Sequence, residues 1–235
     1  MTDDVLRSLA PSRNLTDDEA YMANAAALRP GMTRKEVTDY YNKVASTGGE
    51  LYEEYLNPQR YRGPVIAART VAEFFPENRH SKLILDVAAG TGFVGEELYK
   101  LGFKKLHCLD PSHKMLEAAR RKNVYTKEFC CYLDHDRLPI DDDTYDCAVS
   151  SGGCGNGHIP VEGLHELARI VKPGGLVCIA MREMYLHDAA EYKDRLEPLM
   201  AQMEESGTWK LHSRKIVPNF AFSRYDGVVF HFVVC

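Results

Sequence analysis

An apolar run interrupted by one acid and ended by a glycine-rich bend, Leu83-Ile-Leu-Asp86-Val-Ala-Ala-Gly90-Thr91-Gly92-Phe93-Val94-Gly95, constrains this chain more than any other stretch. The run reads as a strand, and Glu96-Glu97-Leu98 beyond it opens a helix. Glycine has no Cβ, so such a loop turns sharply and lets a ligand approach the backbone, while the free N–H groups at the helix start favour a carboxylate or phosphate. Gly90, Gly92 and Gly95 also spell G-x-G-x-x-G, the dinucleotide signature, so the motif alone leaves the nucleotide open.

Three further features narrow it. Asp86 sits inside the strand, where a dinucleotide-binding strand continues with apolar residues, and a carboxylate there has to face something polar. Asp110 ends the next apolar run, Lys105-Leu-His-Cys-Leu-Asp110, about twenty residues after Gly90, the separation expected of a ribose-binding acid. In Leu167-Ala-Arg-Ile-Val-Lys172-Pro173-Gly174-Gly175-Leu-Val-Cys-Ile a helix is expected to stop at a Pro-Gly-Gly turn before a new strand. In that order and spacing, these elements resemble the class I methyltransferases that use S-adenosylmethionine. The resemblance runs from roughly Tyr40 to Val177. Within that family the sequence is most similar to the methyltransferase-like proteins named for the Williams-Beuren region, on Tyr61-Arg-Gly-Pro64, Cys131-Tyr-Leu-Asp-His-Asp-Arg-Leu-Pro139 and Lys172-Pro-Gly-Gly-Leu-Val-Cys178.

Composition agrees. A chain of 235 residues, 45% hydrophobic, can bury a sizeable core and suits one domain with an N-terminal addition. Its 29 Lys and Arg against 34 Asp and Glu, a formal charge of −5, supply no global field to gather nucleic acid or an anionic membrane, so neither is expected as a partner. The seven cysteines fall mostly inside apolar runs without metal-site spacing, which reads as free thiols in a reducing setting. With no signal-like N-terminus and no long apolar segment, a cytoplasmic setting is the default expectation; the sequence leaves the oligomeric state open, a monomer being favoured.

Thr16-Asp-Asp-Glu19 and Thr33-Arg-Lys-Glu36 both have capping-box form and predict two helices, stopping at Arg29-Pro30-Gly31 and near Gly48-Gly49. A third starts near Pro64 with Val65, Ile66, Ala68, Val71 and Phe74 facing inward. Residues 1–78 are therefore expected to form a helical cap over a domain of residues 79–235. There, strands near 82–88, 105–110, 125–132, 145–151 and 175–183 alternate with helices near 93–102, 112–122, 160–171 and 188–206. That alternation predicts an α/β, doubly wound, mostly parallel sheet. The runs Trp209 to Val217 and Gly227 to Val234 add an antiparallel hairpin, giving the seven strands that the methyltransferase resemblance implies.

The resemblance also implies roles for particular residues toward S-adenosylmethionine and its product S-adenosylhomocysteine. Ala88, Gly90, Thr91 and Gly92 form the loop against the methionine portion. Asp86 compensates its ammonium or orients the loop by accepting N–H groups. Asp110, followed by Pro111, accepts from both ribose hydroxyls, with Ser112 as helix cap. Met115 contributes apolar contact to the adenine or the core. Asp134 receives the adenine amino group, with the His135 backbone at a ring nitrogen and Asp136 as the alternative acid. Ser151 and Gly152 line the methionine arm. Among Tyr40, Tyr41, Tyr52, Tyr55 and Tyr61, the expected covers are Tyr52 and Tyr61, and Arg62 pairs with the cofactor carboxylate or lies on the surface.

Ser150-Ser-Gly-Gly-Cys-Gly-Asn-Gly-His158-Ile-Pro160 follows the fourth strand, at the carboxyl edge where ligands of open α/β sheets bind. Its four glycines point to a pliable or closely approached loop. His158 is either a general base or a packed histidine. Asp141-Asp142-Asp143 reads as a turn, and no metal is assigned. Methyl transfer to a small molecule is the leading expectation, with a cofactor-binding module without turnover, a protein methyltransferase and an NAD-dependent oxidoreductase as alternatives.

Overall fold

The computed structural model of the protein describes residues 16–235. Thr16 and Thr33 both close capping boxes, their N–H groups donating to Glu19 and Glu36 at 2.8 Å. They open α1 (Asp17–Ala25) and α2 (Arg34–Val44). Both helices stop short of the expected proline and glycine signals. After each, N–H groups reach back three residues instead of four, as in Leu28 to Ala25 and Ser46 to Lys43, which tightens the chain into irregular turns. A further short helix that the sequence reading lacks, α3 (Glu50–Tyr55), follows Gly49 at once. α4 (Gly63–Phe74) starts with Pro64 in its first turn. Its buried face is Ala67, Ala68, Val71 and Ala72, whereas Val65, Ile66 and Phe74 are only half buried. The small side chains let α4 lie directly on the sheet, sharing one core with Ile84, Cys147 and Leu176.

The sheet comprises β1 (Leu83–Val87), β2 (Lys105–Leu109), β3 (Lys127–Phe129), β4 (Tyr145–Ser151), β5 (Val171–Arg182), β6 (Trp209–Ala221) and β7 (Tyr225–Val234). Their order is β3-β2-β1-β4-β5-β7-β6. The first five are parallel, and β7 inserts antiparallel between β5 and β6. α5 (Phe93–Lys100), α6 (His113–Arg120) and α7 (Gly163–Ile170) are the crossovers. Each central strand alternates between two cores. Leu85, Ala148, Val177 and Phe230 face α7, while Ile84, Cys147, Cys178 and Val229 face α4 and α5. Both faces are buried, as a parallel sheet requires.

Three boundaries differ from expectation. β5 begins at Val171, before Lys172-Pro-Gly-Gly, and those residues form a bulge: Tyr145 pairs with Val171, but Cys147 already pairs with Leu176. The helix expected over 188–206 is split into α8 (Tyr185–Asp188) and α9 (Leu196–Glu205), with Asp194 between them at φ 56°. The hairpin loop expected at 218–226 shrinks to residues 222–224, because Pro218 to Phe220 bulge within β6 instead of leaving it.

Gly95, in the first turn of α5, lies against Tyr125; a Cβ there would come within 2.2 Å of the phenol oxygen and 2.3 Å of Cζ. The third glycine of the motif thus makes room for a protein ring. Gly95→Ala is expected to lower stability by about 1–3 kcal/mol through overpacking. The readout is a lower urea midpoint at unchanged m-value; an unmoved midpoint would mean the ring swings aside freely.

Candidate active site

The carboxyl ends of β1, β2, β4 and β5 open onto a cavity of about 1010 Å³, its open mouth included. Ala88, Gly90, Asp110, Pro111, Met115, Ser151, Gly152 and His158 line its floor, and Tyr41, Tyr52 and Tyr61 its roof. Arg182 and Tyr185 form the far wall.

Asp110 is 7% exposed, and its two oxygens accept the N–H groups of Gly90 and Ser112, each at 2.8 Å. Burial pushes its carboxyl up to about 6, the two N–H donors opposing that rise. Tyr61 donates to or accepts from Ser151 Oγ at 3.0 Å, and its ring lies where any Cβ on Gly152 would sit 2.4 Å from the phenol oxygen. Gly152 has φ 74°, so both backbone and space call for glycine there. Tyr52 lies over Gly90 and stacks on Phe93, ring centroids 6.5 Å apart.

His158 has a defined tautomer. Nδ1 lies 2.9 Å from the Asn156 carbonyl, which can only accept, so Nδ1 carries the proton. Nε2 is then bare and accepts from the Tyr41 hydroxyl at 2.9 Å. Burial lowers the His158 pKa, which keeps the ring neutral. The glycine loop before it is closely approached. A Cβ on Gly155 would meet Leu28 at 2.5 Å, and one on Gly157 would meet the Met32 carbonyl at 2.7 Å. Tyr192 pins the same loop, accepting the Gly155 N–H at 2.9 Å and donating to the Ile159 carbonyl at 2.7 Å.

Six residues expected at the cofactor do not line the cavity. Asp86 is buried behind the loop, where it accepts the Gly95 N–H at 3.1 Å and the Tyr125 hydroxyl. Thr91 is fully buried with its methyl toward Gly49, and Gly92 faces Tyr125 and Ala119. Arg62 is exposed and donates to the Pro218 and Asn219 carbonyls at 3.2 and 3.4 Å, because the chain at residues 60–62 pairs with the end of β6. Asp134 is held by Arg34 at 2.8 Å and by the Asp136 N–H, and the His135 side chain is exposed. Asp142 ties the acidic turn to Arg137 and Arg169. Tyr41 was one of five aromatic candidates in the cap; Arg182 carries no motif that marks it.

This strand order with its cavity at the carboxyl edge defines the class I methyltransferase architecture. Residues 84–175 match the family model described as Methyltransferase domain. The human protein Methyltransferase-like protein 27 is 36% identical over 159 residues, 68% of this chain and 64% of that protein. Demethylmenaquinone methyltransferase of Corynebacterium kroppenstedtii is 41% identical over 96 residues, 41% of this chain and 40% of that enzyme. The chain thus spans less than two thirds of the length of these curated relatives. A solved structure of Burkholderia thailandensis 1,6-didemethyltoxoflavin-N1-methyltransferase shares the fold at TM-score 0.60 and 14% identity, over 96% of this chain and 93% of that one. Over residues 84–175 the chain is thus similar to methyltransferases, and its fold is the class I methyltransferase architecture.

Asp86 is the most deeply placed charge of the loop. Burial raises its carboxyl from 3.8 to about 7, against the lowering effect of the Tyr125 and Gly95 donors. Between those values the folded protein binds more protons than the unfolded chain, so this group's contribution to stability declines as pH rises through that window and is level above it. Asp86→Asn keeps an acceptor oxygen and removes the titration. Its stability relative to the parent is expected to improve by up to about 1.4 kcal/mol per pH unit across the window, measured by urea unfolding at several pH values. A pH-independent difference would locate the titration elsewhere.

Proposed function

We propose that the protein transfers a methyl group from S-adenosylmethionine to a small-molecule acceptor. The observation that carries this reading is Asp110: a carboxylate at the end of β2, lining the cavity, with each oxygen already oriented by one backbone N–H. Each carboxylate oxygen keeps a further acceptor site, which suits the paired hydroxyls of a ribose. Ala88, Gly90, Pro111 and Met115 offer backbone and apolar surface beside it, and Ser151 with Gly152 continues the floor toward β5. Tyr52 and Tyr61 cover this trough.

When bound, the donor supplies an electrophilic methyl group on a sulfonium whose leaving thioether is neutral. The protein's work is then alignment, exclusion of water and removal of a proton where the acceptor loses one. The tyrosines of the roof, Tyr61 buried and Tyr41 and Tyr52 half-buried, exclude water. The hydroxyl of Tyr41 takes the departing proton and passes its own to the bare Nε2 of His158, whose Nδ1–H is anchored on Asn156. Relatives named for methylation of demethylmenaquinone and didemethyltoxoflavin support a small organic acceptor.

Calorimetry with S-adenosylhomocysteine tests the assignment. Asp110→Ala is expected to weaken binding by roughly tenfold or more, the scale of lost charge-assisted hydrogen bonds, while its circular dichroism stays native. For the parent, affinity should fall as pH drops below about 6, because protonation removes the acceptor. A folded Asp110→Ala protein with parental affinity would dismiss this site.

A further inference from the structure

Arg182, the last residue of β5, is 8% exposed and lines the cavity. It donates to the Tyr185 hydroxyl at 3.1 Å and to Asn24 Oδ1. The rings of Tyr185, Phe222 and Tyr225 lie 5.9, 5.4 and 5.4 Å from its guanidinium carbon. All of these partners are uncharged. Among the described residues no carboxylate lies within ion-pair distance of it, whereas the half-buried Arg169 pairs with both Glu166 and Asp142. Rings and an amide solvate a guanidinium without cancelling its charge, and a buried cation lacking a counterion is costly. Two of its five N–H donors are engaged by protein side chains, which leaves a planar fork suited to a second, anionic partner.

Its place in the sheet says which partner. In the order β2-β1-β4-β5, Asp110 ends β2 and Arg182 ends β5, three strand spacings or roughly 14 Å apart. The loop after β1 and the tip of β4 lie between them and take the donor in the reading above. Arg182 stands one strand beyond, beside Tyr61, Tyr185 and Phe220 at the aromatic end of the cavity. We propose that the acceptor is a small aromatic organic anion whose charged group is received by Arg182, an inference that rests on the methyl-transfer assignment. The carboxylate, or an equally acidic ionised phenol, sits in the guanidinium fork, its ring lies among the tyrosines, and its nucleophilic atom points back toward the β4 tip.

The test uses benzoate and its uncharged counterpart benzamide as probes, with calorimetry on the full chain saturated with S-adenosylhomocysteine. Benzoate is expected to bind more tightly than benzamide by roughly tenfold or more, the scale of a charge-assisted contact. Arg182→Met should abolish that preference, Arg182→Lys should retain part of it, and neither should alter affinity for S-adenosylhomocysteine. Equal binding of the two probes at millimolar concentration, including binding of neither, overturns the proposal. So does loss of S-adenosylhomocysteine affinity in both variants, since Arg182 would then be holding the donor's carboxylate. A parent that discriminates the probes through Arg182 but never binds S-adenosylhomocysteine would keep the anion site and sink the methyl-transfer reading instead, so the two failures are distinguishable. Should Arg182→Met not fold, the Lys variant and the parent's probe preference still decide.

Discussion

A carboxylate buried inside the central strand governs the geometry of this protein. Asp86 stands among Ile84, Leu85 and Val87, where its neighbours are apolar and its own ionised form is poorly solvated. It is tolerated there because the Gly95 N–H and the Tyr125 hydroxyl both point at one of its oxygens. Those bonds tie β1 to the first turn of α5 and to the segment leading into β3. The loop between them has little freedom left, so Gly90 is presented to the cavity and Gly92 to the Tyr125 ring. Gly90 in turn donates to Asp110. A chain of contacts therefore runs from the middle of β1 to the acid at the end of β2, and the floor of the cavity is set by the strand interior behind it.

The cavity that results is polarised along the sheet edge. Its β2 end carries the carboxylate of Asp110 and its β5 end the guanidinium of Arg182, with neutral tyrosines and glycine backbone between. Among the described residues, neither charge is paired with the other or with any opposite charge. Such an arrangement stores unfavourable desolvation that a suitably charged ligand pair relieves. The donor and acceptor proposed above, a diol at one end and an anion at the other, are complementary to it.

What the sequence made legible follows the same division. The strand, the glycine turn, Asp110 and the Ser151-Gly152 tip are local patterns set by short-range backbone demands, and each stands at the strand end where it is read, although Thr91 and Gly92 turn away from the cavity. The capping boxes at Thr16 and Thr33 are equally local and open their helices as read. Asp86 was legible as an acid needing a polar partner, but Tyr125 as that partner was not, because the pair is 39 residues apart. The family resemblance alone points Asp134 at the cofactor, and it leaves Arg62 either there or on the surface. The fold instead turns Arg62 onto the β6 bulge and gives Asp134 to Arg34, a residue 100 positions away. Arg182 was invisible for a related reason: an arginine ending a strand acquires meaning only once α1 brings Asn24 and the final hairpin brings Phe222 and Tyr225 around it.

The roof and the acceptor end share an origin that separates them from the floor. The family match covers residues 84–175, which include Asp86, Gly90, Asp110, Ser151 and His158. Tyr41, Tyr52, Tyr61, Arg182 and Tyr185 all fall outside it. They come from the N-terminal cap and the C-terminal segment, and these two are stitched together across the cavity. Tyr61 bridges to Ala221, the Arg62 N–H donates to the Phe220 carbonyl at 3.0 Å, and Tyr61 meets Phe220 edge to face at 5.5 Å. Tyr21 of α1 stacks on Tyr225 in the same way, with centroids 5.5 Å apart. A donor site built from the matched region can thus be shared with relatives while the acceptor site is rebuilt by the flanking segments. The β5 end of the cavity therefore depends on Arg182 and the tyrosines around it, which lie outside the region shared with the family model.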